Sequence, residues 1–252
     1  MTITPAFEIL GESRDSNVII TCDHASNRVP IEVGGGSLGL SAAEMDRHIA
    51  YDVGAAGVSK HLGDLLNVPV ILSNFSRLVI DPNRGEDDPT LVMKLYDGTL
   101  VPLNRHITQA DFDWRMAHCY RPYHDALGSL VASRQNPVII AMHSFTAQLA
   151  GRPPRPWQIG VLFADDRRLS DPLIAALSRH PDLCVGVNEP YGGHLEGDSI
   201  QRHALAHGHP NILIEIRNDL IRPKAGQRQW AEKLAPILRD VIAQTVVNET
   251  RL

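Results

Sequence analysis

The sequence predicts an α/β layer fold with a largely parallel sheet. Two observations carry this. Short apolar runs rich in Val and Ile recur along the chain, and several are apolar on both faces, as strands covered by helices on two sides must be. Between them lie segments with helical periodicity, and alternation of the two implies strands joined by helical crossovers. The first run is Asn17 to Cys22. Val68 to Leu72, Arg77 to Ile80, Val138 to Met142, Gln158 to Phe163, Leu183 to Val187 and Ile212 to Ile216 follow.

The helices are read from caps and spacing. Ser41 to Leu66 opens with Ser41-x-x-Glu44, a capping-box spacing, and continues with Ile49, Val53, Val58, Leu62, Leu65 and Leu66. Asp111 to Arg134 is a second helix, which Pro122 must break or kink. Asp171 to Arg179 has Ser170 as N-cap and Pro172 in its first turn. Ala225 to Val247 forms the C-terminal helix. The irregular stretches Gly34 to Gly39, Pro82 to Pro102, Gly151 to Pro156 and Asn188 to Ser199 read as loops of one domain, with no linker, repeat or low-complexity tract.

Composition narrows the function classes. The chain has 252 residues, 43% hydrophobic and 21% charged, with a net charge of -5. That is the balance of a globular chain, and not of a disordered one. The acidic balance leaves no footprint for nucleic acid. Cys22, Cys119 and Cys184 form neither a disulfide framework nor a Cys-x-x-Cys pair, which fits free thiols in a reducing compartment. The N-terminus has no apolar signal region, and no run is long enough to cross a membrane. A cytoplasmic protein without membrane or nucleic-acid partners is therefore expected. Twelve histidines against three cysteines suit a site built from imidazole and carboxylate, though placement must decide.

In open α/β sheets, ligands bind outside the carboxyl ends of the strands. The first run ends in Asp23-His24-Ala25-Ser26-Asn27, which is either a ligand set or an Asx-type turn. The fourth ends in Met142-His143. Two strand-end histidines at one sheet edge are a stronger signal than either alone, because neutral imidazole is a common metal ligand. Asp46 would complete a His/His/carboxylate set, or serve as a first-turn acid favoured by the helix dipole. Asn83-Arg84 offers an amide and a guanidinium fork for a substrate acid group, and Arg77 stands nearby in sequence. Glu215 falls inside an apolar alternation, where a carboxylate is costly unless it has a task. It is either a general base or a structural partner of Arg217 on the same strand face. A His/His/carboxylate zinc with an open position, a base and an arginine together suit hydrolysis of an amide.

These segments resemble the N-formylglutamate amidohydrolase family. The matching stretches are CDHASNRVP at 22–30, MDRHIAYDVGAA at 45–56, SRLVIDPNR at 76–84, RPYH at 121–124, MHSF at 142–145, RPWQIGVLF at 155–163, NEPYGG at 188–193 and IEIRNDLI at 214–221. The family is similar in fold to zinc carboxypeptidases and aspartoacylases. The resemblance implies one three-layer α/β/α domain over 1–252, phosphorylase/hydrolase-like, with a mixed, mainly parallel sheet. It implies a Zn2+-dependent hydrolase, or one using another divalent metal, that cleaves the N-formyl or other N-acyl amide of an acidic amino acid such as N-formyl-L-glutamate. Histidine breakdown is the usual setting. Carried over by position, His24 and His143 are the histidine ligands, Glu215 the base, Arg77 the oxyanion arginine, and Asn83 with Arg84 the carboxylate pair. Arg217 and Tyr191 join the substrate side. The related first motif is His-x-x-Glu, whose last position is Asn27 here. Asp46 is therefore expected as third ligand, with Asn27 and Asp23 as alternatives. A peptidase or amidase on another small amide or peptide fragment is the second reading. A metal-free binding protein that keeps the fold is the third.

Overall fold

The computed structural model describes residues 4–193 and 195–249. A mixed seven-stranded sheet forms its centre. The strands are β1 Phe7–Leu10, β2 Val18–Cys22, β3 Val70–Ser73, β6 Val138–Phe145, β7 Ile159–Leu162, β8 Val185–Val187 and β9 Asn211–Arg217. Their order is β1-β3-β2-β6-β9-β7-β8. β3, β2, β6 and β9 run parallel, whereas β1 pairs antiparallel with β3 and β7 antiparallel with β9. The two-residue strands β4 Leu95–Tyr96 and β5 Thr99–Leu100 form a separate hairpin.

Alternation along the buried strands divides the core in two. One face carries Ile20, Cys22, Ile140, Met142, Ile214 and Ile216. It packs against α2 Ala55–Leu66, α5 Ser170–Leu177 and α8 Lys224–Glu249. The other face carries Ile19, Ile139, Ala141, Leu162 and Leu213. It is covered by α4 Arg121–Ala132 and the long loops around residues 74–107. His143 and Glu215 stand on this second face, in step with Ala141 and Leu213.

Two sequence readings are corrected. The helix expected from Ser41 to Leu66 is two helices: α1 Ala42–Met45 and then α2. Ser41 caps the first through the expected box with Glu44. The chain then turns irregularly to Gly54, whose φ of 86° is a conformation that suits glycine. Arg77 to Ile80 is a buried turn and not a strand. Its apolar side chains fill the core, but Val79 N donates to Ser76 O within the turn instead of to a ladder. The stretch around Pro122 is interrupted: α3 Gln109–Arg115 widens into a π turn at Met116–Tyr120, and Pro122 sits in the first turn of α4 just after it. The antiparallel strand β1 and the short helices α6 Ser199–His203 and α7 Asn218–Ile221 were not legible in the periodicity.

The loop over the second face is held by one buried polar node. Asn104 Nδ2 donates to Leu78 O and Met93 O, both at 2.8 Å, and its Oδ1 accepts from Arg115 Nη1 at 2.7 Å. Arg115 Nη1 also donates to Val79 O at 2.8 Å. Replacing Asn104 by Ala strands two carbonyls and part of a guanidinium in the core. Each buried unsatisfied group costs about 1–3 kcal/mol, so urea unfolding should show a loss of roughly 2–4 kcal/mol.

Candidate active site

The sheet topology brings three of the predicted residues to one place. His24 follows β2, while His143 on β6 and Glu215 on β9 are directly paired across the parallel ladder. The His24 and His143 rings lie edge to face, with centroids 5.0 Å apart. The acid between them is Asp52. Its Oδ2 lies 2.8 Å from His143 Nδ1 and 3.3 Å from His24 Nδ1, and it also accepts from Ser144 N at 3.2 Å. All three side chains are buried. Local backbone bonding explains the placement: Asp52 N donates to His24 O at 2.9 Å, which draws the irregular turn before α2 against the end of β2.

The far side of each imidazole also faces a carboxylate. His24 Nε2 meets Asp81 Oδ1 at 2.7 Å. His143 Nε2 faces Asp23 Oδ2 at 3.6 Å, and Asp23 accepts a short hydrogen bond from Tyr123 Oη. Each ring therefore turns Nδ1 toward Asp52 and Nε2 toward a second carboxylate. Histidine ligands of metals are oriented in this way, by an acid on the other ring nitrogen. The ligand atoms of His24, Asp52 and His143 lie within 4.8 Å of one another. Three donors around a tetrahedral zinc stand about 3.3 Å apart, so this spacing fits a divalent ion. Among the described residues, no other group of three such side chains is close enough to hold one.

In the metal-free chain, opposite charges bind the same three side chains together. Burial works against a charged Asp52, yet the two imidazoles, His24 first, hold its carboxyl pKa well below the usual carboxylate range. Burial also opposes a charged His143, but the Asp23 and Asp52 carboxylates on either side of the ring raise it well above the ordinary histidine value. Asp81 is buried and still held ionised, by Arg77 first and by His24 next. Glu215 differs. Burial pushes it up to about 7, only partly offset by His143. Its Oε2 is buried without a hydrogen-bond partner.

Glu215, His24, Asp52 and His143 line a cavity of about 280 Å³ together with Arg77, Asn83, Arg84 and Tyr191. Arg77 donates through Nε and Nη2 to Asp81 Oδ2 at 3.0 and 2.7 Å, and its Nη1 is 3.5 Å from Asp52 Oδ1. Arg84 Nη1 donates to Asn83 O at 2.7 Å and Nε to Thr90 Oγ1 at 3.1 Å. Tyr191 does not arrive by following a parallel strand. β8 runs antiparallel to β9, and the chain after it folds back across the sheet face. A side chain at Gly160 or Gly186 would collide with the Glu189 carbonyl, so glycine at both positions lets this segment lie flat beside Glu215.

Two expected positions lie elsewhere. Asp46 is the C-cap of α1 at the surface, where it accepts from Tyr51 Oη at 3.0 Å and Arg222 Nη1 at 2.9 Å. The acid beside the histidines is Asp52, six residues further on. The signal for it was present as Tyr51-Asp52 before a glycine, but not the turn that carries it inward. Asn27 is likewise turned away, its Nδ2 donating to Met45 O, and Asp23 lies behind His143. Arg217 is outside the cavity wall. It is spent on Asp219, at 2.8 Å, and on the carbonyls of Arg155 and Trp157. It makes no pair with Glu215.

Comparison with known proteins now bears on this geometry. Residues 16–222 match the model of the N-formylglutamate amidohydrolase family. The chain belongs to that family. A solved structure of a gene product from Agrobacterium tumefaciens is similar at 32% identity, with a TM-score of 0.89, over 95% of this chain and 96% of that one. N-formylglutamate amidohydrolase from Ralstonia eutropha shares the fold at 22% identity and a TM-score of 0.65, covering 96% of each chain. A bacteriophage poly-gamma-glutamate hydrolase shares it more distantly, at 12% identity and a TM-score of 0.52, over 97% of this chain and 91% of that one. No curated protein matches. Family membership makes the chain an amidohydrolase-type enzyme acting on a small molecule. Among the described residues, no helix is long and apolar enough to cross a bilayer.

Proposed function

We propose that the protein is a metal-dependent hydrolase of the N-acyl amide of an amino acid, with zinc as the expected metal. The observation that carries this is Glu215, a buried carboxylate with an unpartnered oxygen, facing a cavity beside His24, Asp52 and His143. His24 and His143 through Nδ1 and Asp52 through a carboxylate oxygen would hold the ion, with Asp81 and Asp23 orienting the two rings. A divalent ion there supplies Lewis acidity, which polarises an amide carbonyl and acidifies water toward neutral pH.

The chain's own groups do the rest. Glu215 takes a proton from the attacking water and returns it to the leaving nitrogen, the task of a general base near neutral pH. Arg77, on the cavity wall beside Asp52, supplies positive charge to the oxyanion that develops. Asn83 and Arg84 bind the substrate carboxylate, and Tyr191 closes the opposite wall. The buried, partly apolar floor of the cavity lowers the local dielectric, which strengthens these interactions.

The test is turnover. Protein loaded with zinc should release a carboxylic acid from at least one member of an N-acyl amino acid panel, N-formyl-L-glutamate first, and lose that activity on chelation. Metal-loaded protein that turns over no member would overturn the proposal.

A further inference from the structure

The loop at 82–85, which carries Asn83 and Arg84 on the cavity wall, is strapped by α6 and the segment that leads into it. Ser199 Oγ donates to Pro82 O at 3.2 Å, and Ser199 N donates to Asn83 Oδ1 at 3.3 Å. Tyr120 Oη donates to Arg84 O at 2.6 Å and accepts from Arg202 Nη2 of α6 at 3.0 Å. Gly85 lies so close to Gly197 that a Cβ on Gly197 would fall 2.5 Å from Gly85 Cα. Asn83 N closes the loop on Asp81 Oδ1 at 2.9 Å, the oxygen that also meets His24 Nε2.

One of these contacts decides what the wall offers a ligand. A side-chain amide has one accepting end and one donating end. A backbone N–H can be received only by the oxygen, so Ser199 N turns Asn83 Oδ1 toward α6 and leaves Nδ2 as the end available to the cavity. Among the described residues, Asn83 Nδ2 has no hydrogen-bond partner. Arg84 beside it spends Nη1 on Asn83 O and Nε on Thr90 Oγ1, which leaves Nη2. Adjacent residues thus present two donors, one of them cationic, which is the chemistry that recognises a carboxylate. Ser199 is placed for this by its own turn. Asp198 caps α6, its Oδ1 accepting from Gln201 N at 2.8 Å and its Oδ2 from Leu195 N at 2.7 Å. Ser199 is therefore the first helical residue, whose N–H has no partner within a helix and goes to Asn83 instead.

We infer that Ser199 is a positioning residue for the substrate: its backbone N–H fixes which end of the Asn83 amide is offered, and so makes the Asn83–Arg84 corner a receptor for a carboxylate. The inference rests on the proposed binding of the substrate acid group at that corner.

The experiment reads KM and kcat of the zinc-loaded full chain for the best substrate of the N-acyl amino acid panel, N-formyl-L-glutamate first. Ser199→Pro removes the N–H at a position that tolerates proline, since it begins the helix and Asp198 already has the extended backbone (φ −65°, ψ 171°) that a following proline requires. It should raise KM about tenfold or more and leave kcat within about threefold of the parent. Asn83→Ala should do the same. The double variant should be no worse than Asn83→Ala, because both changes remove one interaction, whereas a merely structural role would give losses that add. Parental KM in Ser199→Pro, or additive losses in the double variant, overturns the inference. Asn83→Asp tests the orientation with Ser199 intact. Its carboxylate still accepts from Ser199 N but turns a negative oxygen to the substrate acid group, so its KM should exceed that of Asn83→Ala by at least about tenfold. An equal or lower KM overturns the inference, whether or not Ser199→Pro folds. Unchanged KM in Asn83→Ala, or no turnover of any substrate by the parent, overturns the underlying reading and the inference with it.

Discussion

Glu215→Gln should abolish turnover while the protein keeps its metal. The amide occupies the same space and leaves the ladder pairing of residue 215 with His143 and Gly160 intact, but it cannot accept a proton. General-base assistance is worth about 10²–10⁴ in rate, and a loss of at least about 10³ in kcat is expected here because Glu215 carries both proton transfers in the proposed mechanism. Metal stoichiometry, measured by elemental analysis, should equal that of the unaltered enzyme. Activity within tenfold of the parent would remove Glu215 from its role. The pH dependence has a definite sign. Burial raises Glu215 to about 7 in the metal-free chain, and a cation beside it pulls that value down. The base works ionised, so kcat/KM should fall on the acid side, with its midpoint below 7. The same shift gives a control on folding. A carboxyl whose folded-state pKa is raised binds its proton more tightly in the native state than in the unfolded one, so it makes the metal-free protein less stable as pH rises through that window. Glu215→Gln should remove that loss, and the variant should be at least as stable as the parent at pH 8.

Much of the active face was legible because strand-end chemistry follows from two simple patterns. His24 and His143 each end a run that is buried on both faces, and parallel neighbours bring such ends to one edge. Glu215 was legible as an acid inside an apolar alternation. The misreadings have one physical origin: periodicity reports burial and not the partner that buries. Leu78, Val79 and Ile80 are fully buried, yet loops cover them and no ladder does, so an apolar run was read as a strand. The orientation of β7 is silent in sequence for the same reason, since an antiparallel strand buried on both faces reads like a parallel one. That reversal puts Gly160, rather than another polar strand end, beside Glu215. Asp52 was hidden because its approach to His24 depends on a turn ending at Gly54, and a turn of that kind leaves no period to read.

The choice between Asp46 and Asp52 has a large and separable consequence. Asp52→Asn should lower metal affinity by more than about 100-fold, and Asp46→Ala should leave it unchanged. Catalytic zinc takes three protein ligands, and even residues that only orient ligands alter affinity by about 10–100-fold when replaced. Asp52 does more than donate an oxygen. It faces both Nδ1 atoms, accepts from Ser144 N and lies 3.5 Å from Arg77 Nη1, so its charge holds the four groups in register. Asparagine keeps the size and one carbonyl oxygen but loses the charge that offsets the imidazoles and the ion. Asp46 is engaged with Arg222 and Tyr51 at the surface, where such a pair contributes about 0–1 kcal/mol to stability and nothing to the cavity. Titration of each metal-free variant with zinc, followed by calorimetry, separates the two acids. Equal loss in both variants, or loss in Asp46→Ala alone, would place the third ligand where the sequence first suggested it. Retained affinity in Asp52→Asn together with retained turnover would mean that the two imidazoles hold the ion without this carboxylate. Loss of affinity confined to Asp52→Asn would tie the cation to the three side chains that β2, β6 and the turn before α2 bring together.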